Sequence, residues 1–320
     1  MIYSFCIVLT IASLILSLLI AKPLICLLRS ISVKQIIRKS GPASHVSLKS
    51  DTPTIGGLIF LIPLIVLSLG ILFFNKELFT KDILVVISVT FVMALMGFSD
   101  DYLKVRKKQN KGISGWTKLF IQFVVALVIY FLYKENNNLF YLFWIYFVFA
   151  GATNSYNLTD GLDGLLAGVS LSGFFGFFVL LALLGKIELL PFISIFFGGL
   201  LGFLYFNKYP AKVFMGDTGS MAIGGAVGSL AIVTHTELFL IGFATIPIIE
   251  AVSVILQVIS CQISKRFFGK DIRIFKMTPL HHHFELTGWK ETDIVKRFFV
   301  FQGMCVIAGI ILIRSGGLLQ

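Results

Sequence analysis

Long apolar stretches separated by short polar connections dominate the chain, and the apolar residues run on rather than alternate. Ten stretches are candidate membrane spans: 2–21, 55–74, 83–99, 119–133, 139–156, 165–184, 189–206, 219–234, 238–259 and 298–313. A helix needs about 20 apolar residues to cross a hydrocarbon core ~30 Å thick. Several of the ten are shorter, and 139–156 grades into polar sequence. Lipid offers no partner to an exposed backbone amide, so helices are the expected element. A barrel would instead show alternating strands of ~10 residues. The pattern predicts an all-α, polytopic integral membrane protein: one transmembrane domain over 1–320 with about ten helices.

Composition supports this class. Apolar residues make up 57% of the 320 and charged residues 13%, about half the charged share of a soluble domain (~25%). Mean hydropathy is +0.93. A soluble enzyme, a disordered chain and a fibrous repeat are excluded. The net charge of +11 reads as anchoring of cytoplasmic loops, not as a nucleic-acid footprint. Of the 27 Lys and Arg residues, 22 fall in alternate connections at 22–54, 100–118, 157–164, 207–218 and 260–297. The positive-inside rule places those loops in the cytoplasm and both termini outside. The first span lacks a preceding basic segment, and Lys22 and Arg29 follow it; it reads as a retained helix, not a cleaved signal. Cys6, Cys26, Cys261 and Cys305 lie far apart and suggest neither a disulfide framework nor a zinc site.

Ten of the 16 acidic residues fall in the predicted cytoplasmic connections, as do four of the five histidines. Carboxylates at the ends of apolar spans suggest a site at the membrane surface. Asp100 and Asp101 end one span, with Lys104 one helical turn on, where it can face one of them. Arg106, Lys107 and Lys108 read as lipid anchoring. In NSYNLTDGLDGLLAG (154–168), Asn157, Asp160 and Asp163 recur at about one helical turn, and no Lys or Arg occurs from 150 to 184. A hard divalent cation suits such oxygen ligands, and magnesium in particular bridges one or two carboxylates to substrate phosphates. Asp217, within FMGDTGS, reads as a helix cap or as a further metal ligand. Three consecutive histidines, His281, His282 and His283, cannot all face one way on a helix. Imidazoles donating to phosphate suit them better than zinc ligation, for which no supporting pattern exists. Lys49 and Thr54 precede the second span and offer a cation and a hydroxyl. Glu250 sits inside a central apolar run; such a residue faces a protein interior or cavity, and function and structural pairing both remain open for it.

These ingredients fit phosphoryl transfer between a soluble donor and a lipid acceptor, a reaction that is mostly positioning and charge neutralisation. A transporter for a charged solute is the competing class. Transporters bind near the bilayer midplane in related halves, whereas here the polar motifs gather at one face and no repeat is evident.

Taken together, TPTIGG (52–57), DDYLK (100–104), NLTDGLDGL (157–165), FMGDTGS (214–220) and TPLHHHFE (278–285) resemble the polyprenyl-phosphate N-acetylhexosamine-1-phosphate transferases over nearly the whole chain. The HHHFE form points to the muramoyl-pentapeptide branch; the N-acetylglucosamine sibling is the alternative. The resemblance implies a magnesium-dependent enzyme of the bacterial inner membrane that acts in peptidoglycan synthesis, commonly as a homodimer. Undecaprenyl phosphate would attack the sugar-linked phosphate of UDP-N-acetylmuramoyl-pentapeptide, giving lipid I and UMP. It further implies that Asp217 binds the metal, with Asp100, Asp101 or Asp163 as further candidates, and that Asp100 is a proposed base on the lipid phosphate. Asp101, His281 and His282 join the catalytic set. Lys49, Thr54, Lys104, Lys118, Asn157, Asp160, Asp163 and His283 are the expected substrate-binding residues.

Overall fold

A computed structural model describes residues 1–31, 52–109, 111–133 and 138–315. Among them are twelve α-helices and no strand: α1 (Ile2–Ser30), α2 (Leu58–Phe74), α3 (Lys81–Lys107), α4 (Gly115–Tyr133), α5 (Leu139–Thr159), α6 (Leu165–Leu183), α7 (Leu190–Asn207), α8 (Gly216–Val233), α9 (Leu240–Phe243), α10 (Thr245–Phe268), α11 (Leu280–Leu286) and α12 (Glu291–Arg314). Every expected span falls on helix. Seven helical segments are long and apolar enough to cross a membrane: α1, α3, α4, α6, α7 with the turn before it, α10 and α12. The spans expected at 55–74, 139–156 and 219–234 form α2, α5 and α8, which are shorter or more polar.

The outer helices carry large apolar residues on their outward faces. On α1, Ile7, Ile11, Ile15 and Leu19 are exposed, while Ser13, Ser17 and Ala21 are buried. That inverts a soluble helix and is what lipid requires: large apolar groups face the tails, and small residues let helices approach. Ser13 Oγ donates to Ile195 O at 2.6 Å, joining α1 to α7.

At the centre is α8, whose residues from Thr218 to Val233 are all buried. Its sequence explains this. Gly224, Gly225 and Gly228 present no side chain to the backbone of Thr153, the side chain of Met93 and the packing of Ala152 and Phe149, so α3 and α5 close directly on it. Glycine is poor helix material in water, but inside a bilayer the close packing it allows offsets that preference.

The expected span 238–259 is broken. Its helix stops at Phe243 and restarts at Thr245. Gln302 of α12, itself fully buried, spans the break: its Oε1 accepts from Ile246 N at 2.9 Å and its Nε2 donates to Gly242 O at 3.0 Å. One amide thus satisfies a donor and an acceptor that lipid could not.

Candidate active site

The polar motifs meet at one end of the bundle. The C-terminal end of α3 supplies Asp100, Asp101 and Lys104, the first turn of α4 Lys118, the end of α5 Asn157 and Asp160, and the first turn of α8 Asp217 and Ser220. Residues up to 117 positions apart are in contact there.

Two ammonium groups lie between Asp100 and Asp217. Lys104 Nζ is 2.6 Å from Asp100 Oδ2 and 3.2 Å from Asp217 Oδ2. Lys118 Nζ is 3.1 Å from Asp100 Oδ1 and 2.7 Å from Asp217 Oδ2. Ile113 N also donates to Asp100 Oδ1, at 2.7 Å. The ion pair of Lys104 with Asp100 is the i,i+4 contact expected from the sequence; Lys118 enters from another helix. Asn157 Nδ2 donates to Asp217 Oδ1 at 3.1 Å and to Ser220 Oγ at 2.9 Å.

Asp101 has a different job. Its carboxylate accepts from Asp217 N at 3.1 Å, Thr218 N at 2.9 Å and Thr218 Oγ1 at 2.7 Å. The first turn of a helix has amides without intrahelical partners, and here a carboxylate from α3 takes two of those of α8. The capping role open to Asp217 therefore belongs to Asp101, and the Asp217 side chain is left to the cations. Gly97 makes this approach possible, since a Cβ there would run into the Asp217 backbone. Gly216, at φ +74, turns the chain into α8.

One oxygen from each of Asp100, Asp101 and Asp217 lies within 4.8 Å of the others. This is a hard, all-oxygen donor set of the kind divalent cations take, so these three residues fit a metal. Asp160 lies beside them. Burial first, then the charges of Asp217, Asp101 and Asp163, push its carboxyl up to about 8.

Other expected site residues are held differently. Asp163 Oδ2 accepts from Ala211 N at 2.9 Å, and its own amide donates to Glu291 Oε1 at 2.7 Å. Next to it, Gly164 N donates to Asn207 Oδ1 at 3.0 Å, and Asn207 Nδ2 reaches Val213 O at 2.9 Å. The Asp160–Gly164 turn is thereby tied to the segment before α8. Thr54 is buried beside Gly216, in a stretch that pairs with the FMG segment: Phe214 N donates to Pro53 O at 2.8 Å and Gly56 N to Phe214 O at 2.8 Å. Lys49 lies outside the described residues.

The three histidines of α11 do face different ways. His281 is fully buried; its Nδ1 is 3.1 Å from Glu250 Oε1. His282 Nδ1 is 2.7 Å from Glu285 Oε2. His283 Nδ1 accepts from Lys276 N at 3.1 Å, and its ring meets Phe275 edge-on. Glu250 thus has a partner, 31 residues away. Sequence reasoning had marked Glu250 by its place in an apolar run. Glu291 and Asn207 it missed; each meets the 163–164 turn at a backbone amide, which leaves no signal in residue type.

The Glycosyl transferase family 4 model matches residues 83–235, the stretch holding the α3, α5 and α8 motifs. Proteins named phospho-N-acetylmuramoyl-pentapeptide-transferase align along most of the chain. That of Halalkalibacterium halodurans is 40% identical over 306 residues, covering 90% of this chain and 91% of its own. That of Caldanaerobacter subterraneus subsp. tengcongensis is 43% identical, over 85% of this chain and 87% of its own. The chain belongs to the phospho-N-acetylmuramoyl-pentapeptide-transferase family. A third member, from Prochlorococcus marinus, is 39% identical over 92% of this chain and 87% of its own. Family membership accounts for the multi-pass helical build and for a phosphotransferase activity.

Proposed function

We propose that the protein transfers phospho-N-acetylmuramoyl-pentapeptide from UDP-N-acetylmuramoyl-pentapeptide to undecaprenyl phosphate, releasing UMP and forming lipid I. The observation that carries this reading is the meeting of Asp100, Asp101 and Asp217 with Lys104 and Lys118, in a chain about 40% identical to transferases of that name. An oxygen of the lipid phosphate bonds to the sugar-linked phosphorus of the donor, and the bond from that phosphorus to the UMP oxygen breaks.

Asp217 is the principal metal ligand, with Asp100 and Asp101 beside it. Magnesium is the ion that suits these ligands and a diphosphate; when bound, it neutralises phosphate charge. Lys104 and Lys118 add positive charge at the same point, and such neutralisation is the main demand of phosphoryl transfer. Asp100 is ion-paired to both lysines and accepts an amide hydrogen bond, so its carboxylate already faces two cations and a backbone donor. The acceptor phosphate loses its second proton near pH ~6 without help. Asp100 therefore acts by holding the lysines in place. Asn157 orients Asp217; Asp160 and Thr54 border the acidic cluster, with Asp163 fixing the turn. Lys49 supplies a cation for substrate phosphate, and His282 and His283 assist in orienting it.

The charge distribution supports ten spans with both termini outside and this end of the bundle in the cytoplasm; a bacterial inner membrane location, one catalytic domain and pairing into homodimers are what the family resemblance implies. The deciding experiment is UMP release by purified protein supplied with the donor, undecaprenyl phosphate and magnesium. Omitting either the lipid or the metal abolishes release. Equal release with UDP-N-acetylglucosamine would move the protein to the sibling activity, and release without lipid would refute transfer.

A further inference from the structure

His281 and Glu250 are both completely buried, and their contacts reach from α10 to the aspartate-bearing turn. Glu250 accepts from the amide of His281, at 3.2 and 3.4 Å to its two oxygens, and lies 3.1 Å from Nδ1. That fixes the ring: Nδ1 turns to the carboxylate and Nε2 turns away. Nε2 is enclosed and has no hydrogen-bond partner. Against it lies Gly161, where a Cβ would run into the imidazole. Gly161 stands between Asp160 and Asp163, and Asp163 is gripped from the same chain segment through Glu291. An unpaired buried nitrogen is costly, and one that bound substrate would be open to it. This one is covered by backbone.

We propose that Glu250 and His281 form a buried positioning pair that seats the Asp160–Asp163 turn beside the acidic cluster, the histidine acting through Gly161 and not on substrate. Glu250 holds the ring, the ring sets the turn, and Glu291 fixes the turn's far end. The pair links the long 260–297 connection to the phosphotransferase site, so its kinetic consequence rests on the function proposed above, whereas its geometry does not.

Second-site suppression in the full-length protein separates positioning from substrate contact. Gly161→Ala forces the ring or the turn to move, and His281→Asn keeps a donor for Glu250 but removes the part of the ring that touches Gly161. Each single variant lowers kcat about tenfold or more, with the donor KM changed less than about threefold. In the double variant the alanine methyl occupies the vacated space, and kcat recovers at least about fivefold over either single variant. Glu250→Gln lowers kcat and leaves KM unaltered. A methyl group cannot replace a group that touches substrate, so a double variant no better than the singles overturns the positioning role, as does wild-type kcat in Glu250→Ala. The melting temperature of the same detergent-solubilised variants tests the contact without the reaction: the double variant melts above Gly161→Ala. Additive losses in melting temperature would overturn the contact itself. Should the wild type release no UMP, the proposed function fails, and the melting cycle still decides the pair.

Discussion

At the scale of single residues, three neighbouring aspartates do three kinds of work. Asp217 is bracketed by two lysines and an asparagine amide, so Asp217→Asn removes the charge around which they converge. We expect turnover to fall at least about a hundredfold and magnesium no longer to stimulate it; wild-type-like UMP release at limiting magnesium would refute the assignment. Asp100→Asn tests a base against an electrostatic anchor. With both lysines and the Ile113 amide on Asp100, the loss should be the same across about pH 6–9. Partial rescue at high pH would restore the base. Asp101→Ala leaves two helix-start amides and the Thr218 hydroxyl without their acceptor. Such unsatisfied groups cost about 1–3 kcal/mol each when buried, so the purified protein should unfold at clearly lower temperature. The sequence made Asp100, Asp101 and Asp217 visible as scarce carboxylates at span ends. It did not distinguish cap from ligand, because that depends on which amide each oxygen meets.

At the scale of elements, two features of the helices were hidden in the apolar pattern. The first is α8, a glycine-rich segment of modest hydropathy that turns out to be the most enclosed helix. Its small residues suit close packing, and the sequence alone does not name the helices that close on it. Gly225→Leu would drive a side chain into Met93; overpacking of this kind costs about 1–3 kcal/mol, measurable as a lower melting temperature. The second is the break at Ala244. The break is sustained by Gln302, 56 residues from Ile246. Gln302→Leu leaves Ile246 N without its acceptor, while Gly242 O keeps the Thr245 hydroxyl, and thermal unfolding should show destabilisation of about 1–3 kcal/mol. An unchanged melting curve would mean that the break does not need it.

For the whole molecule, the ordering of motifs along the chain predicts a site on one side of the membrane. Single cysteines introduced at Lys108 and Lys270 should react with a membrane-impermeant thiol reagent only from the inside. Those at Lys76 and Lys186 should react only from the outside, each in a background in which the native cysteines are replaced. Mixed sidedness within either pair would overturn the topology. The apolar runs by themselves determined that the chain is helical and suited to a membrane, because a backbone in lipid must satisfy its own hydrogen bonds. Scarce charges at span ends likewise marked the candidates for the chemistry, since an ionised group in that solvent persists only where it is needed or paired. Only the tertiary structure decided the partners. It brought Lys118 to Asp217, Asp101 to the start of α8 and Glu250 to His281. Contacts across 31 to 117 residues depend on how helices pack, and packing is set by shape complementarity among many side chains at once, which no local pattern of polarity encodes.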